Sequence, residues 1–247
     1  MKRLSLSILI AVLITGIALS GCVSVDFASA FGNGVAGSGS MEKYTFKTGE
    51  IKSIKIEMHC DIHYYSAPSD EVTLQIQPNL IDYIIVEESG GALSVRSTNQ
   101  YTISGKAPVL TVSSPALASV TLLGAGAFTA HDAMVADSIS LTLAGAGSGS
   151  AEVDAEHISV SVSGAGDMKL SGKAETADMT LSGAGNLDAM SMRARDAAVS
   201  LSGAGTIKVN CTDNLRVNAD GLGTVEYKGS PATEMNTSGL VSVKKVG

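Results

Sequence analysis

Ile158-Ser159-Val160-Ser161-Val162-Ser163-Gly164-Ala165-Gly166-Asp167-Met168 is the stretch that decides the fold. Apolar and hydroxyl residues alternate up to a Gly-Ala-Gly turn, and an apolar residue returns two residues beyond it. Period two is the signature of a strand with one dry face and one wet face. The turn recurs as Gly124-Ala125-Gly126, Gly145-Ala146-Gly147, Gly183-Ala184-Gly185 and Gly203-Ala204-Gly205. Gly221-Leu222-Gly223 and Gly239 continue the series at similar steps.

The residues six, four and two places before each turn stay apolar. They run from Ala118, Val120 and Leu122 through Ala177, Met179 and Leu181 to Leu215, Val217 and Ala219. Four residues past the first glycine stand Phe128, Met168, Leu187, Ile207, Val225 and Val243. Units of this length cannot bury a face alone, so the repeat predicts stacking of each on the next. Glycine suits a corner where backbone lies close on backbone, and alanine between the glycines adds little bulk. The expected fold is all-β: a parallel β-solenoid (β-helix) of about seven coils with an N-terminal β-rich cap or subdomain. A dinucleotide-binding reading fails, because that fingerprint needs one glycine loop opening a helix.

Working outward, the final unit weakens to Thr233, Met235 and Thr237 and ends in Val243-Lys244-Lys245, lysines that read as edge protection. Toward the N-terminus, Ile54, Ile56, Met58, Cys60, Ile62 and Tyr64 alternate with polar residues and predict one long half-buried strand. Strands are also expected at 72–76 and 93–95, with 81–86 as strand or a short helical turn. The expected organisation is a signal peptide at 1–21, a lipidated cysteine and tether at 22–40, a β-rich cap at 41–106 and the repeat at 107–247.

Met1-Lys2-Arg3, an apolar run and Leu19-Ser20-Gly21-Cys22 resemble the lipobox of bacterial lipoproteins. The resemblance implies that Cys22 carries lipid and that the protein is held on the cell envelope, at the outer membrane if the host has one. Without residues 1–21 the chain loses only Lys2 and Arg3 from its 17 basic residues, leaving 15 against 24 acidic ones, a net of −9. A mildly acidic chain without a basic stripe excludes nucleic-acid binding of the usual kind. Cys60 and Cys211 read as small buried thiols rather than a disulfide.

The Ile54–Tyr65 alternation, Leu93-Ser94-Val95 and turns such as Ser163-Gly164-Ala165-Gly166-Asp167 resemble the envelope family named putative auto-transporter adhesin, head GIN domain. The likeness covers about residues 44–247 and implies adhesion as the function.

Three residues before each turn runs a polar column: Thr121, Thr142, Ser161, Thr180, Ser200, Asn218 and Asn236. Small hydroxyls and amides on a flat face suit an envelope glycan or protein partner, and are also plain strand formers on a wet face. Asp137, Glu156, Glu175 and Asp213 form a second column, interrupted by Arg195; this reads as a screened rim rather than a calcium site. His59, Asp61 and His63 on one strand would hold the two histidines ~13 Å apart, too far to chelate together. No catalytic residues, metal or cofactor are expected. The alternatives to a non-catalytic adhesin or scaffold are a carbohydrate-active β-helix enzyme (lyase or hydrolase) and a purely structural spacer.

Overall fold

The computed structural model describes residues 34–98 and 101–247. Its strands are β1 (Gly34–Ala36), β2 (Glu42–Lys47), β3 (Ser53–Ile56), β4 (Asp61–Tyr65), β5 (Glu71–Ile76), β6 (Ile84–Ser89) and β7 (Ala92–Ser97). They continue as β8 (Thr102–Ser104), β9 (Val109–Ser113), β10 (Ser119–Leu122), β11 (Ala125–Ala130), β12 (Met134–Lys228) and β13 (Ala232–Lys245). A 3-10 turn at Pro78–Tyr83 precedes β6, so residues 81–86 divide between turn and strand.

The main sheet runs β2-β5-β9-β4-β11-β12-β10-β3-β7-β6, with β13 added on β12. The expectation of a parallel β-solenoid is corrected here: the sheet is mixed, barrel-like and nearly closed. Strands β2 and β5, β5 and β9, and β6 and β7 pair antiparallel, while the remaining pairs are parallel. The physical reason is simple. Period-two burial is common to both strand directions, so alternation says which face is dry and nothing about polarity.

Strands β3 and β4 are also out of chain order in the sheet. They lie between β7 and β9 on one side and β10 and β11 on the other. One sheet and one continuous core therefore include residues from both the expected cap and the expected repeat. The expected single strand over 54–65 is two strands separated by Glu57–Cys60, although every second side chain stays buried across the break. Tyr64 marks the depth of this region: its hydroxyl donates to the Ser114 carbonyl at 2.9 Å, and burial pushes the phenol's pKa up. Ser114 in turn donates to the Ile51 carbonyl at 2.6 Å.

Inside β12 the apolar positions read from the sequence are buried, Ile158, Val160, Val162, Val199 and Val217 among them. Successive glycine turns lie against one another. Gly145 has φ +143° and a Cβ there would collide with the Gly124 carbonyl; Gly183, at φ +136°, stands in the same relation to Gly164. Two requirements coincide at these sites, a left-handed backbone and no room for a methyl group. The residue after the first glycine behaves otherwise. Ala165 is exposed, and its equivalents Leu222 and Leu240 are 60% and 78% exposed, so bulk there points outward instead of wedging neighbours apart.

Candidate functional site

The wet face of the sheet carries the polar column. Thr121 stands in register with Thr142, and Asn218 with Asn236. Ser161, Thr180 and Ser200 lie in β12, three residues before the turns whose glycines stack at Gly164, Gly183 and Gly203. The sheet thus brings all seven residues onto one line. Exposure increases along it: Thr121, Thr142 and Ser161 are partly buried, while Thr180, Ser200, Asn218 and Asn236 are exposed. At the exposed end the amide of Asn236 donates to the Asn218 side chain at 3.2 Å, and Ser238 donates to Asp220 at 2.8 Å. These residues, with Thr180, Ser200 and Ser202, border a shallow open groove.

The line also extends where the sequence reading did not follow it. Lys55 is the register partner of Thr121, Ser94 of Lys55, and Glu87 of Ser94. One signal was available. Lys55 sits between the inward Ile54 and Ile56 as Thr121 sits between Val120 and Leu122, but no glycine turn follows to mark the register.

A second groove is charged and borders the first face. Asp178, Asp196, Asn214, Arg216 and Glu234 line it. Asn214 donates to Asp196 at 2.6 Å, and this bond, with Arg195 at 3.1 Å, holds the Asp196 carboxyl below its usual pKa. Arg195 lies 3.3 Å from Glu175 and 4.0 Å from Asp213, so the acidic column contains its own cation. Lys173 pairs with Asp154 at 3.1 Å beside Glu156 and Asp137. Among the described residues no group of three or more histidine, cysteine or acidic side chains is arranged to hold a metal.

His63 meets a histidine that the strand alone did not offer: His131, just past β11, whose facing ring nitrogen is 2.7 Å away and on which Tyr65 stacks at 4.7 Å. Asp61 instead accepts from the Ala127 amide at 2.8 Å, a structural tie between β4 and β11. Cys60 and Cys211 are both buried and unpaired, and burial pushes the Cys60 thiol up to about 12. Cys22 lies outside the described residues. Among those residues, no helix is long and apolar enough to cross a membrane.

The molecule is an all-β protein with a regular polar face and closely stacked glycine turns. The chain belongs to the family described as "Putative auto-transporter adhesin, head GIN domain", whose model matches residues 50–231. Three solved structures share the fold. One, described as a putative adhesin from Bacteroides fragilis NCTC 9343, is 23% identical with TM-score 0.78, over 86% of this chain and 100% of that one. Another, described as a putative lipid binding protein from Parabacteroides distasonis ATCC 8503, is 22% identical with TM-score 0.69, over 87% and 100%. The third, described as a putative adhesin from Parabacteroides merdae ATCC 43184, is 20% identical with TM-score 0.63, over 87% and 100%. No curated protein matches the chain. The family's adhesin description associates it with the cell surface or envelope, and neither it nor these three structures is described as an enzyme.

Proposed function

We propose that the protein is a non-catalytic, lipid-anchored envelope adhesin that uses the polar column as its contact surface. Residues 1–21 act as signal peptide, Cys22 bears the lipid, and the segment from Cys22 to the start of β1 tethers the folded body to the membrane. Thr121, Thr142, Ser161, Thr180, Ser200, Asn218 and Asn236 are the contact groups, joined by Lys55 and Ser94. One observation carries this reading: the column is continuous in register, and its exposed end offers amides and hydroxyls at the regular spacing of neighbouring strands. Such a surface matches a ligand that itself repeats, and an envelope polysaccharide is the chemical class with that property.

The test is a glycan array that includes envelope polysaccharides, probed with the full chain in detergent while released sugar is followed. Saturable binding, weakened by Asn218→Ala with Asn236→Ala, is the expected result. Binding that ignores both substitutions would remove the column from the contact surface, and cleaved product would overturn the non-catalytic reading. Separately, Cys22→Ala should release the protein from membranes, and retention would sink the anchor.

A further inference from the structure

Strand β13 pairs with β12 along Asn214–Tyr227, and among the described residues no strand covers its other side. Open strand edges recruit further strands. The Val246 amide donates to the Tyr227 carbonyl at 2.8 Å, so the even-numbered residues there turn their N–H and C=O groups toward β12. The same phase holds before the turn: Ser140, five residues before Gly145, donates to the Ala118 carbonyl at 2.8 Å, and Glu234 holds that place before Gly239. Met235, Thr237, Val241 and Val243 therefore present the free backbone groups.

We propose that this edge pairs antiparallel with β13 of a second copy of the chain, about a two-fold axis at Gly239. Charge selects the register. Centred on Gly239, it sets Glu234 opposite Lys244 of the second copy, twice by symmetry. A shift of two residues either way sets Glu234 opposite Ser242 or Val246 and loses both pairs. The same register aligns Met235 with Val243 and Thr237 with Val241, so the residues with free backbone groups face one another and can exchange hydrogen bonds. Glu234 and Lys244 then occupy the closer, non-hydrogen-bonded sites, where a cross-strand ion pair is strongest.

Two features agree with that axis. Along the sheet Lys208 pairs with Glu226 at 3.5 Å, Glu226 is the register partner of Lys244, and Arg216 pairs with Glu234 at 3.0 Å. Across the axis the alternation of sign continues unbroken: Lys208, Glu226, Lys244, then Glu234 and Arg216 of the second copy. The other feature is apolar. Directly after the first turn glycine, alanine gives way to leucine only at Leu222 and Leu240, 60% and 78% exposed, the two turns nearest the axis. The symmetric pair would bury these leucines against each other, an isologous contact. Lys244, which by itself guards an edge, gains a counter-charge that only a second copy supplies in this register.

The pairing has a further meaning that rests on the adhesion reading. Strand β1 joins β8, whose Thr102 and Ile103 border Arg96 and Ser97 of β7. Strands β3, β10 and β12 separate β7 from β13, so the two N-terminal segments would leave from opposite ends of the pair. That arrangement suits two chains anchored on facing surfaces.

Sedimentation equilibrium of the full chain in detergent micelles tests the pairing. The wild type should dimerise, and Glu234→Lys or Lys244→Glu alone should weaken the dimer about tenfold or more. Mixing the two variants should restore it, because each then meets its complement. A monomeric wild type, a dimer indifferent to either substitution, or a mixture that stays dissociated would each overturn the proposal. Phosphatidylcholine vesicles carrying the full chain separate it from adhesion. Clustering that Glu234→Lys abolishes supports both, whereas a solution dimer without clustering leaves the pairing standing and removes contact between facing surfaces.

Discussion

The N-terminal and C-terminal regions of the sheet are built from different materials. At the N-terminal end, antiparallel β2, β5 and β6 flank a core of large side chains, with Ile54, Ile56, Tyr64, Leu74 and Leu80 almost wholly buried. At the C-terminal end alanine and valine share the inward positions, Ala197, Val199, Val217 and Ala219 standing beside Leu201, Ile207 and Leu215, and the last strand is exposed along most of its length. The contrast shows two ways to satisfy one ladder. Large residues accompany reversed strands that flank the sheet, whereas small residues allow close repetition and end in a strand paired along one side.

The sharpest way to break this comparison is at a glycine turn. Gly183→Val should cost roughly 3–5 kcal/mol, adding a strained backbone to a collision with the Gly164 carbonyl. Urea denaturation reads it, and a shift under about 1 kcal/mol would mean the turns are not closely stacked. Next come paired truncations at the two ends. Leu74→Ala should cost about 3 kcal/mol and Val217→Ala about 2, the difference following the apolar volume removed. Both should move one common transition. Two separate transitions would show that the ends fold as distinct units.

Smaller effects sharpen the picture. Tyr64→Phe should lose about 1 kcal/mol, since only the Ser114 hydrogen bond disappears. Alkaline titration probes Cys60. Its native pKa is raised from 9.0 to about 12, so the neutral thiol's contribution is complete below pH 9 and is lost as pH rises toward 12. Cys60→Ala should flatten that part of the stability profile. The least effect is expected for Ala165→Val, within about 0.5 kcal/mol, because this side chain faces solvent.

How far could the residues alone lead? The alternation at 158–162 and its repeats told which side chains are buried, and the glycine spacing told which positions share a line; both depend on local chemistry. Strand direction was not readable in the same way. Nothing in Val72-Thr73-Leu74-Gln75-Ile76 states that β5 runs antiparallel to β9, and long-range pairing decides it. Position in the sheet was equally hidden, since Lys55 joins the polar line only because β3 is placed beside β10. The break at Glu57–Cys60 escaped notice because burial keeps its rhythm through the bend. His131 was invisible as the neighbour of His63 for the same reason, being 68 residues away in the chain.

The out-of-order placement of β3 and β4 has a mechanical consequence. Tension on the C-terminus meets a strand held along one side only, so β13 can peel away bond by bond. A pull from the N-terminus likewise meets β1 and β2, each held along one side only, before it reaches β3 and β4, which have neighbours on both flanks and break together under shear. A molecule tethered by its first residues would then release β1 and β2 first and hold at β3 and β4, the strands gripped on both sides.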